Sequence, residues 1–454
     1  MLTLNKFRLG KSKYSNVCKW LTVYYLKQRL TIRTFRKFSF LSYQQQDKPT
    51  KKTLNENFNP YPSNSWDFIV PNQLKEMFTF AEYSSNGIIN NLNFYHKFIA
   101  PYLGPEPCSP KAEWKSYIND DYSPIEMTYS FKTNDKHPTV KCIFEPIEKN
   151  QYNGQLSNIS ASLKFLAAMK FAKLPINYDI LLLLIESFCI ENFHQDNYHL
   201  CFGFDFQDNE SDYPLIKAYV GSNSDRSPGS VPMHHHVSKI MNLLKLNKAW
   251  KCVCDYLKIL TNDNCPSDID CFSVDCLDNN DDNLRIKVYI RYFTCEKNDL
   301  IQHLTLNNRL SNTNIDFNYV LKQWDYFLNN KKISCLNDNN VTKSFLVYYE
   351  FNQSKPDCPI SAKFYFPIRH YIENDQFLTY KIAKYLNGIG FEKYGGMNYI
   401  NHINNLCKHR PLDKRTGFHR LTAGSLSKEN LEFKLYYSPE LYAAERFEFF
   451  STSR

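Results

Sequence analysis

The chain has 454 residues, of which 43% are hydrophobic and 16% aromatic, with 34 Phe, 32 Tyr and only 13 Gly. This composition suits one large core of the kind found in barrels, and the absence of G-x-G-x-x-G and G-x-x-x-x-G-K-[ST] excludes the common Gly-rich nucleotide-binding loops. The formal net charge of +9 is confined to one end: residues 1–50 hold 11 Lys/Arg and one acid, whereas the remaining 44 basic and 45 acidic residues nearly cancel. We therefore expect no nucleic-acid partner.

The basic N-terminal segment stands apart from the rest of the chain. Residues 1–60 are acid-poor with scattered apolar residues, as organelle-targeting segments are; an extension with no address is the alternative. The segment has no apolar run long enough to span a bilayer, and fourteen Cys without metal-type clustering indicate a reduced compartment. We expect an extension over 1–60 and a folded domain over 61–454, located in the cytoplasm, or in mitochondria if the segment is a targeting signal, with no stable membrane insertion.

Helical and strand patterns alternate in a repeating order from about residue 160 onward. "SASLKFLAAMKFA" and "NYDILLLLIESFCIENF" have helical patterns, and "LCFGFDFQ" and "LIKAYVG" alternate as strands do. The same order recurs in "SKIMNLLKLNKAWKCVCDYLKIL", "CFSVDCL" and "NLRIKVYIRY", and again in "NIDFNYVLKQWDYFL", "SFLVYYEFN" and "SAKFYFPIR". Because units this small cannot bury their own apolar faces, we expect their strands to close into an antiparallel barrel with helices outside.

The second strand of each unit carries a cation and a tyrosine two residues apart. Side chains two apart on a strand point to the same face. These residues are Lys217 and Tyr219, then Arg285, Lys287 and Tyr289, then Lys363 and Tyr365. One such face is typical of a solvated sheet surface, but three in corresponding places favour a shared interior.

Several stretches, in order, resemble a known family. They are "YSPIEMTYSF", "PTVKCIFEPI", "LIKAYVG", "NLRIKVYIRY", "HLTLNNRL", "AKFYFPIRHYIENDQ" and "LYYSPE". Over roughly residues 70–445 the chain resembles the fungal-type aromatic prenyltransferases related to dimethylallyltryptophan synthase. The resemblance implies an α+β fold, the ABBA barrel, with about ten antiparallel strands around a reaction chamber and a ring of helices outside.

The resemblance also implies the reaction and its participants. A prenyl group such as dimethylallyl would pass from its diphosphate to an aromatic acceptor, such as an indole or tryptophan derivative, by Friedel–Crafts-type alkylation in secondary metabolism. No metal or other cofactor is expected. The partners are a prenyl diphosphate and a small aromatic acceptor, and the protein is expected to be a monomer or homodimer.

Ionisation of an allylic diphosphate needs fixed cations for the leaving group and electron-rich walls for the carbocation. By position in the resembling family, the diphosphate ligands are Lys141, Lys217, Arg285, Lys287 and Lys363, and the carbocation shield is Tyr219, Tyr289, Tyr365 and Tyr436. Glu126 matches the acidic residue that takes the acceptor proton. Glu145 is a nearby competitor that could instead pair with Lys141.

The chain departs from the family pattern at several positions. Leu421 and Glu432 stand where two further shielding tyrosines are expected, and Lys428 lies near the place of a usual arginine. Cys201 replaces the lysine of relatives that alkylate the four position of the indole ring, and Lys141 replaces an arginine. Either the far wall of the cation site differs or the alignment shifts there, so the acceptor, the alkylated position and the prenyl length stay open.

Two rival interpretations use other features of the chain. Magnesium-dependent prenyl synthases use Asp-rich helices, but "DNNDD" at 278–282 lies between strand patterns and predicts a hairpin loop. The adjacent His234, His235 and His236 could suggest a metal site, but neighbouring residues of regular structure cannot all face one ion. They predict a loop leading into a helix. The non-enzyme alternative is a barrel that binds an aromatic or isoprenoid ligand without turnover. That alternative gives no reason for keeping the inward-facing cations together.

Overall fold

Ten strands within the described residues form a closed antiparallel barrel in a computed structural model of the protein. They are β1 Ile125–Lys132, β2 Thr139–Phe144, β3 Tyr198–Asp205, β4 Leu215–Ser222, β5 Ser267–Asp275, β6 Arg285–Tyr292, β7 Phe345–Asn352, β8 Ser361–Phe366, β9 His419–Ser425 and β10 Glu432–Tyr437. Each strand pairs with its neighbour in the chain, and β10 pairs with β1 to close the circle. The barrel therefore has no free strand edge.

Over the described residues, two α-helices precede each hairpin, as the repeat predicted, and one more helix follows the last hairpin. They are α1 Ile69–Phe80, α2 Ser85–Phe94, α3 Asn158–Phe171, α4 Tyr178–Leu184, α5 Met233–Leu243, α6 Asn247–Asn262, α7 Lys297–Thr305, α8 Phe317–Leu328, α9 Asp375–Gly388, α10 Gly396–Leu406 and α11 Glu445–Ser451. Throughout the described part of the chain, every helix is too short or too polar to cross a membrane.

The described residues are 66–148, 158–190, 198–208, 213–222, 233–262, 267–276, 284–310, 316–329, 331–335, 341–425 and 431–451. The N-terminal segment, the boundary predicted at residue 60, "DNNDD" and Lys428 lie outside them. The strands that flank "DNNDD" pair antiparallel, as a hairpin requires.

Alternation along each strand separates a packed outer layer from a polar interior. On β6, Ile286, Val288 and Ile290 are fully buried among the hydrophobic core residues, whereas Lys287 and Tyr289 line the central cavity. Strand residues point alternately to the two faces of a sheet. A closed sheet with helices over one face therefore turns the other face into an interior, and the fold predicted from the repeats is confirmed.

One local prediction is wrong. His234, His235 and His236 lie inside α5, which begins at Met233, and do not form a loop leading into the helix. His236 is buried and its ring lies 5.6 Å, centroid to centroid, from the ring of Phe188. The first turn of the helix thus contributes to packing, which a polar run of three histidines conceals.

A buried ionic network ties α9 to the end of the barrel. Arg410 contacts Asp375 and donates from Nε to Glu440 at 2.9 Å, and all three side chains are almost fully buried. Asp375 also accepts the backbone N–H groups of Phe418 and His419, both at 3.0 Å, at the start of β9. Removing one partner of such a group leaves a buried charge uncompensated.

Arg410→Ala is expected to lower the free energy of unfolding by about 3–5 kcal/mol, because two buried carboxylates lose their shared cation. Urea denaturation followed by circular dichroism measures the change. The matched control is Lys393→Ala, which breaks the exposed ion pair with Glu82 and should cost under about 1 kcal/mol. Equal losses in the two variants would contradict the structural role of the network.

Candidate active site

The barrel encloses one cavity of about 970 Å³, at the upper end of the range for small-molecule sites. It is lined by all ten residues predicted for the site: Glu126, Lys141, Lys217, Tyr219, Arg285, Lys287, Tyr289, Lys363, Tyr365 and Tyr436. Their strands are distributed around the barrel, so the interior predicted from the two-residue spacing exists.

Each predicted cation is paired with an acidic side chain on another strand. Lys141 Nζ lies 2.8 Å and Lys217 Nζ 2.5 Å from Asp205. Lys287 Nζ lies 2.6 Å from Asp275, and Arg285 Nη2 lies 2.8 Å from Glu350. Lys363 contacts Glu432, which also accepts from Ser130 at 2.7 Å. The interior is therefore a network of alternating charges.

The pKa values of the paired groups follow from burial and from this network. Burial lowers the pKa of Lys141, Lys217 and Lys287 to about 8 each, although their acidic partners oppose the change. Burial alone would raise the pKa of Asp205, but the two lysines hold it well below its ordinary value. Asp205 is thus ionised at neutral pH, and these lysines lose charge as the pH rises through 8.

A sixth cation belongs to this cluster. Lys434 on β10 lines the cavity, and its Nζ lies 3.3 Å from Glu432. Its charge also lowers the pKa of Lys141, Lys217 and Lys363, each after the larger effect of burial. Lys434 is therefore close enough to act on the same anion as these three lysines.

The tyrosines form a continuous aromatic wall. Ring centroids lie 6.4 Å apart for Tyr219 and Tyr289, 5.9 Å for Tyr289 and Tyr365, and 5.8 Å for Tyr365 and Tyr436. A fifth tyrosine, Tyr348, completes the wall at 5.2 Å from Tyr289. Burial raises the pKa of Tyr219, Tyr289, Tyr348 and Tyr436 well above the ordinary value, so these rings stay neutral phenols.

Glu126 and Glu145 have different surroundings. Glu126 lines the cavity and contacts Arg420, whereas Glu145 binds Trp114 Nε1 and Ser116 Oγ, both at 2.8 Å, and also contacts His199. The suggested pairing of Glu145 with Lys141 is wrong, because Lys141 pairs with Asp205 across β2 and β3. Burial raises the pKa of Glu126, and Arg420 opposes the rise.

The departures from the family pattern also line the cavity. Leu421 packs beside the aromatic wall, Cys201 lines the cavity on β3, and Glu432 holds the charges of Lys363 and Lys434. Glu432 is thus part of the ionic network and adds no ring to the wall. Tyr348 supplies an aromatic ring from another strand, β7.

Sequence reasoning missed Lys434, Tyr348, Arg420 and the acids. A signal for the acids was present: Asp205, Asp275 and Glu350 stand near the end of the first strand of each hairpin, next to the cations of the second strand. Arg420 had no such signal, because it lies within a break in strand register between His419 and Thr422.

Comparison with known proteins decides the family. The family described as tryptophan dimethylallyltransferase matches residues 63–401 of this chain. The chain belongs to that family. It is an aromatic prenyltransferase, which transfers a prenyl group to an aromatic acceptor.

Known members of the family are similar over most of their length. The 4-O-dimethylallyl-L-tyrosine synthase of Claviceps purpurea is 25% identical over 83% of this chain and 87% of its own. The 7-dimethylallyltryptophan synthase of Aspergillus fumigatus is 22% identical over 78% and 80%. The crystal structure of 6-dimethylallyltryptophan synthase from Micromonospora olivasterospora, in complex with DMASPP and Trp, superimposes with a TM-score of 0.65 at 19% identity and covers 84% of this chain and 99% of its own.

This prenyltransferase is expected to bind dimethylallyl thiolodiphosphate with proton uptake above pH 8. In the enzyme without ligand, Lys141, Lys217 and Lys287 have pKa values of about 8 and are partly neutral above that pH. The bound anion favours their charged forms. Affinity should fall roughly tenfold per pH unit for each lysine that must be reprotonated. Titration calorimetry at pH 7.5 to 9.5, in buffers of different ionisation enthalpy, measures both quantities. An affinity independent of pH would contradict the involvement of these lysines.

Proposed function

We propose that this enzyme transfers a dimethylallyl group from dimethylallyl diphosphate to an aromatic acceptor that carries an N–H or O–H. The observation that carries the proposal is that the cavity lining combines a cluster of six cations, paired with four acids, and a wall of five neutral tyrosines. The donor separates into two parts of opposite charge, and each part has a matching wall. The names of the related synthases support the choice of donor.

Lys141, Lys217, Arg285, Lys287, Lys363 and Lys434 bind the diphosphate in this proposal. The acids Asp205, Asp275, Glu350 and Glu432 offset four of the six positive charges in the resting enzyme. The two uncompensated positive charges attract a multiply charged anion. The anion can also displace the carboxylates and bind the cations that they held. Heterolysis of the bond between C1 and the bridging oxygen leaves the electron pair on the diphosphate, which the cations stabilise as it forms.

The aromatic wall shields the allyl cation. Tyr219, Tyr289, Tyr348, Tyr365 and Tyr436 present ring faces whose quadrupole attracts positive charge. Neutral phenols are weak nucleophiles, so the raised pKa values protect the wall from alkylation. Gly203 leaves space for this wall: a Cβ at that position would lie 2.9 Å from the ring of Tyr219.

Glu126 acts as the acceptor's base in this proposal. The acceptor attacks C1 while its N–H or O–H proton passes to the carboxylate, which prevents positive charge from accumulating on the acceptor. The cavity volume of about 970 Å³ accommodates a donor together with an acceptor of one or two rings.

The proposal assigns no role to a metal ion, because Lys and Arg supply the positive charge that the diphosphate needs. A group with metal-ligand geometry in the described part of the chain, Cys407, His409 and Glu440, lies outside the lining of the cavity. Its Glu440 is already bound by Arg410 and Arg415. A divalent cation there would meet two guanidinium groups.

Incubation of the enzyme with dimethylallyl diphosphate in EDTA is expected to add a dimethylallyl mass to at least one acceptor of a panel of indoles, tryptophan, cyclic dipeptides, tyrosine and phenols. Mass spectrometry detects the product. A requirement for added Mg²⁺ would contradict metal independence. No product with any acceptor, from a folded enzyme that binds the donor, would favour a binding barrel.

Lys287→Ala is expected to lower kcat/KM by at least about a hundredfold, because a buried cation beside the leaving group is lost and Asp275 is left without it. Steady-state kinetics measures the change. Lys393→Ala, on an exposed lysine outside the cavity lining, serves as the control and should keep wild-type rates. Retained activity in Lys287→Ala would contradict the diphosphate assignment.

A further inference from the structure

A break in strand register places Arg420 inside the cavity. The pairing of β9 with β10 shifts between His419 and Thr422, which inserts an extra residue into the strand. Regular alternation would put Arg420 and Leu421 on opposite faces, yet both line the cavity, while His419 points outward to Asp375. Such irregularities re-aim side chains beside active sites.

Buried neighbours fix the position of Arg420. Its Nη1 contacts Glu126, and its backbone carbonyl accepts from Arg369 Nη1 at 3.2 Å. Arg369 is itself buried and donates from Nη2 to Asp120 at 2.8 Å. Among the described residues, the Nε of Arg420 has no hydrogen-bond acceptor. A guanidinium with this unused Nε donor therefore stands beside the proposed base.

We propose that the acceptor is a phenol whose oxygen binds between Glu126 and Arg420, an inference that rests on the proposed function. A phenolic hydroxyl donates one hydrogen bond and also accepts, whereas an indole N–H only donates. A carboxylate beside a guanidinium offers both an acceptor and a donor, which matches the hydroxyl. An indole N–H would donate a hydrogen bond to Glu126 but would offer no acceptor to Arg420.

Charge development during the reaction favours the same acceptor. The phenol proton passes to Glu126, an oxygen lone pair forms the new bond to C1 of the allyl group, and the electron pair of the breaking bond leaves with the diphosphate. Negative charge grows on the oxygen before the bond is complete, and Arg420 stabilises it. Alkylation at an indole carbon instead places positive charge on the ring, which a neighbouring guanidinium disfavours.

The first test compares matched acceptors on the wild-type enzyme with dimethylallyl diphosphate. The pairs are L-tyrosine with L-tryptophan, the glycine–tyrosine with the glycine–tryptophan cyclic dipeptide, and 4-methylphenol with 3-methylindole. We expect the phenol of every productive pair to have a kcat/KM higher by on the order of a hundredfold, with an aryl ether as product. A ratio below about tenfold, a preference for the indole, or a carbon-linked product overturns the inference while the proposed function stands. No product from any pair contradicts the proposed function itself.

The second test uses Arg420→Gln, with Arg420→Lys as the variant that keeps the charge. We expect Arg420→Gln to lower kcat/KM for the phenol by on the order of a hundredfold and to leave the affinity for dimethylallyl thiolodiphosphate within about twofold, which also verifies the folded barrel. The acidic limb of the pH profile should move to higher pH, because Glu126 loses the cation that opposes the rise of its pKa. Arg420→Lys should restore the acidic limb of the pH profile but only part of kcat/KM. If Arg420→Gln changes neither kcat/KM nor the acidic limb of the pH profile, the role of Arg420 is overturned. If the variant does not fold, the comparison of acceptors on the wild-type enzyme decides whether the acceptor is a phenol.

Discussion

The barrel depends on one electrostatic constraint: cations that face a largely enclosed interior must be neutralised when no anion is bound. The cost of burying an unpaired ammonium is several kcal/mol. Acids on neighbouring strands meet this constraint for four of the five predicted cations, since strands about 4.8 Å apart bring matched register positions within reach. Lys141 and Asp205 are such a pair, opposed directly across β2 and β3. Glu432, two strands away, meets the constraint for Lys363.

Because of this constraint, the two strands of a hairpin carry different inward-facing residues. In the three central hairpins the first strand carries an acid near its end, and the second carries the cation and the tyrosine. The outward-facing residues of the same strands pack against the helices. The two-residue alternation along each strand therefore builds both the packed outer layer and the polar interior. The irregular β9 is the exception, and there the cavity receives an arginine next to the acid of β1.

Strand periodicity was enough to predict the barrel and the inward faces. A two-residue period is local, and it placed Lys287 and Tyr289 correctly without knowledge of any partner. The ion pairs could not be predicted in this way, because Asp275 and Lys287 are neighbours through strand register, not through spacing in the chain. Lys434 carried a usable signal, because it stands two residues before Tyr436 on β10, the spacing found on the other strands. The three histidines of α5 were misjudged because a polar run hides the one buried ring.

The pairing of cations with internal carboxylates has a consequence for the end of the catalytic cycle. Inorganic diphosphate carries at least as much charge as the bound ester, and a cage of unopposed cations would retain it and slow product release. Under the proposed function, Asp205, Asp275, Glu350 and Glu432, which pair with these cations in the resting enzyme, compete with the departing anion for them. Under the proposed function each carboxylate recovers its partner as the anion leaves, which limits the uncompensated charge of the empty cavity. The proposed function therefore gives these acids a second role, as exchangeable counterions that prepare the barrel for the next donor.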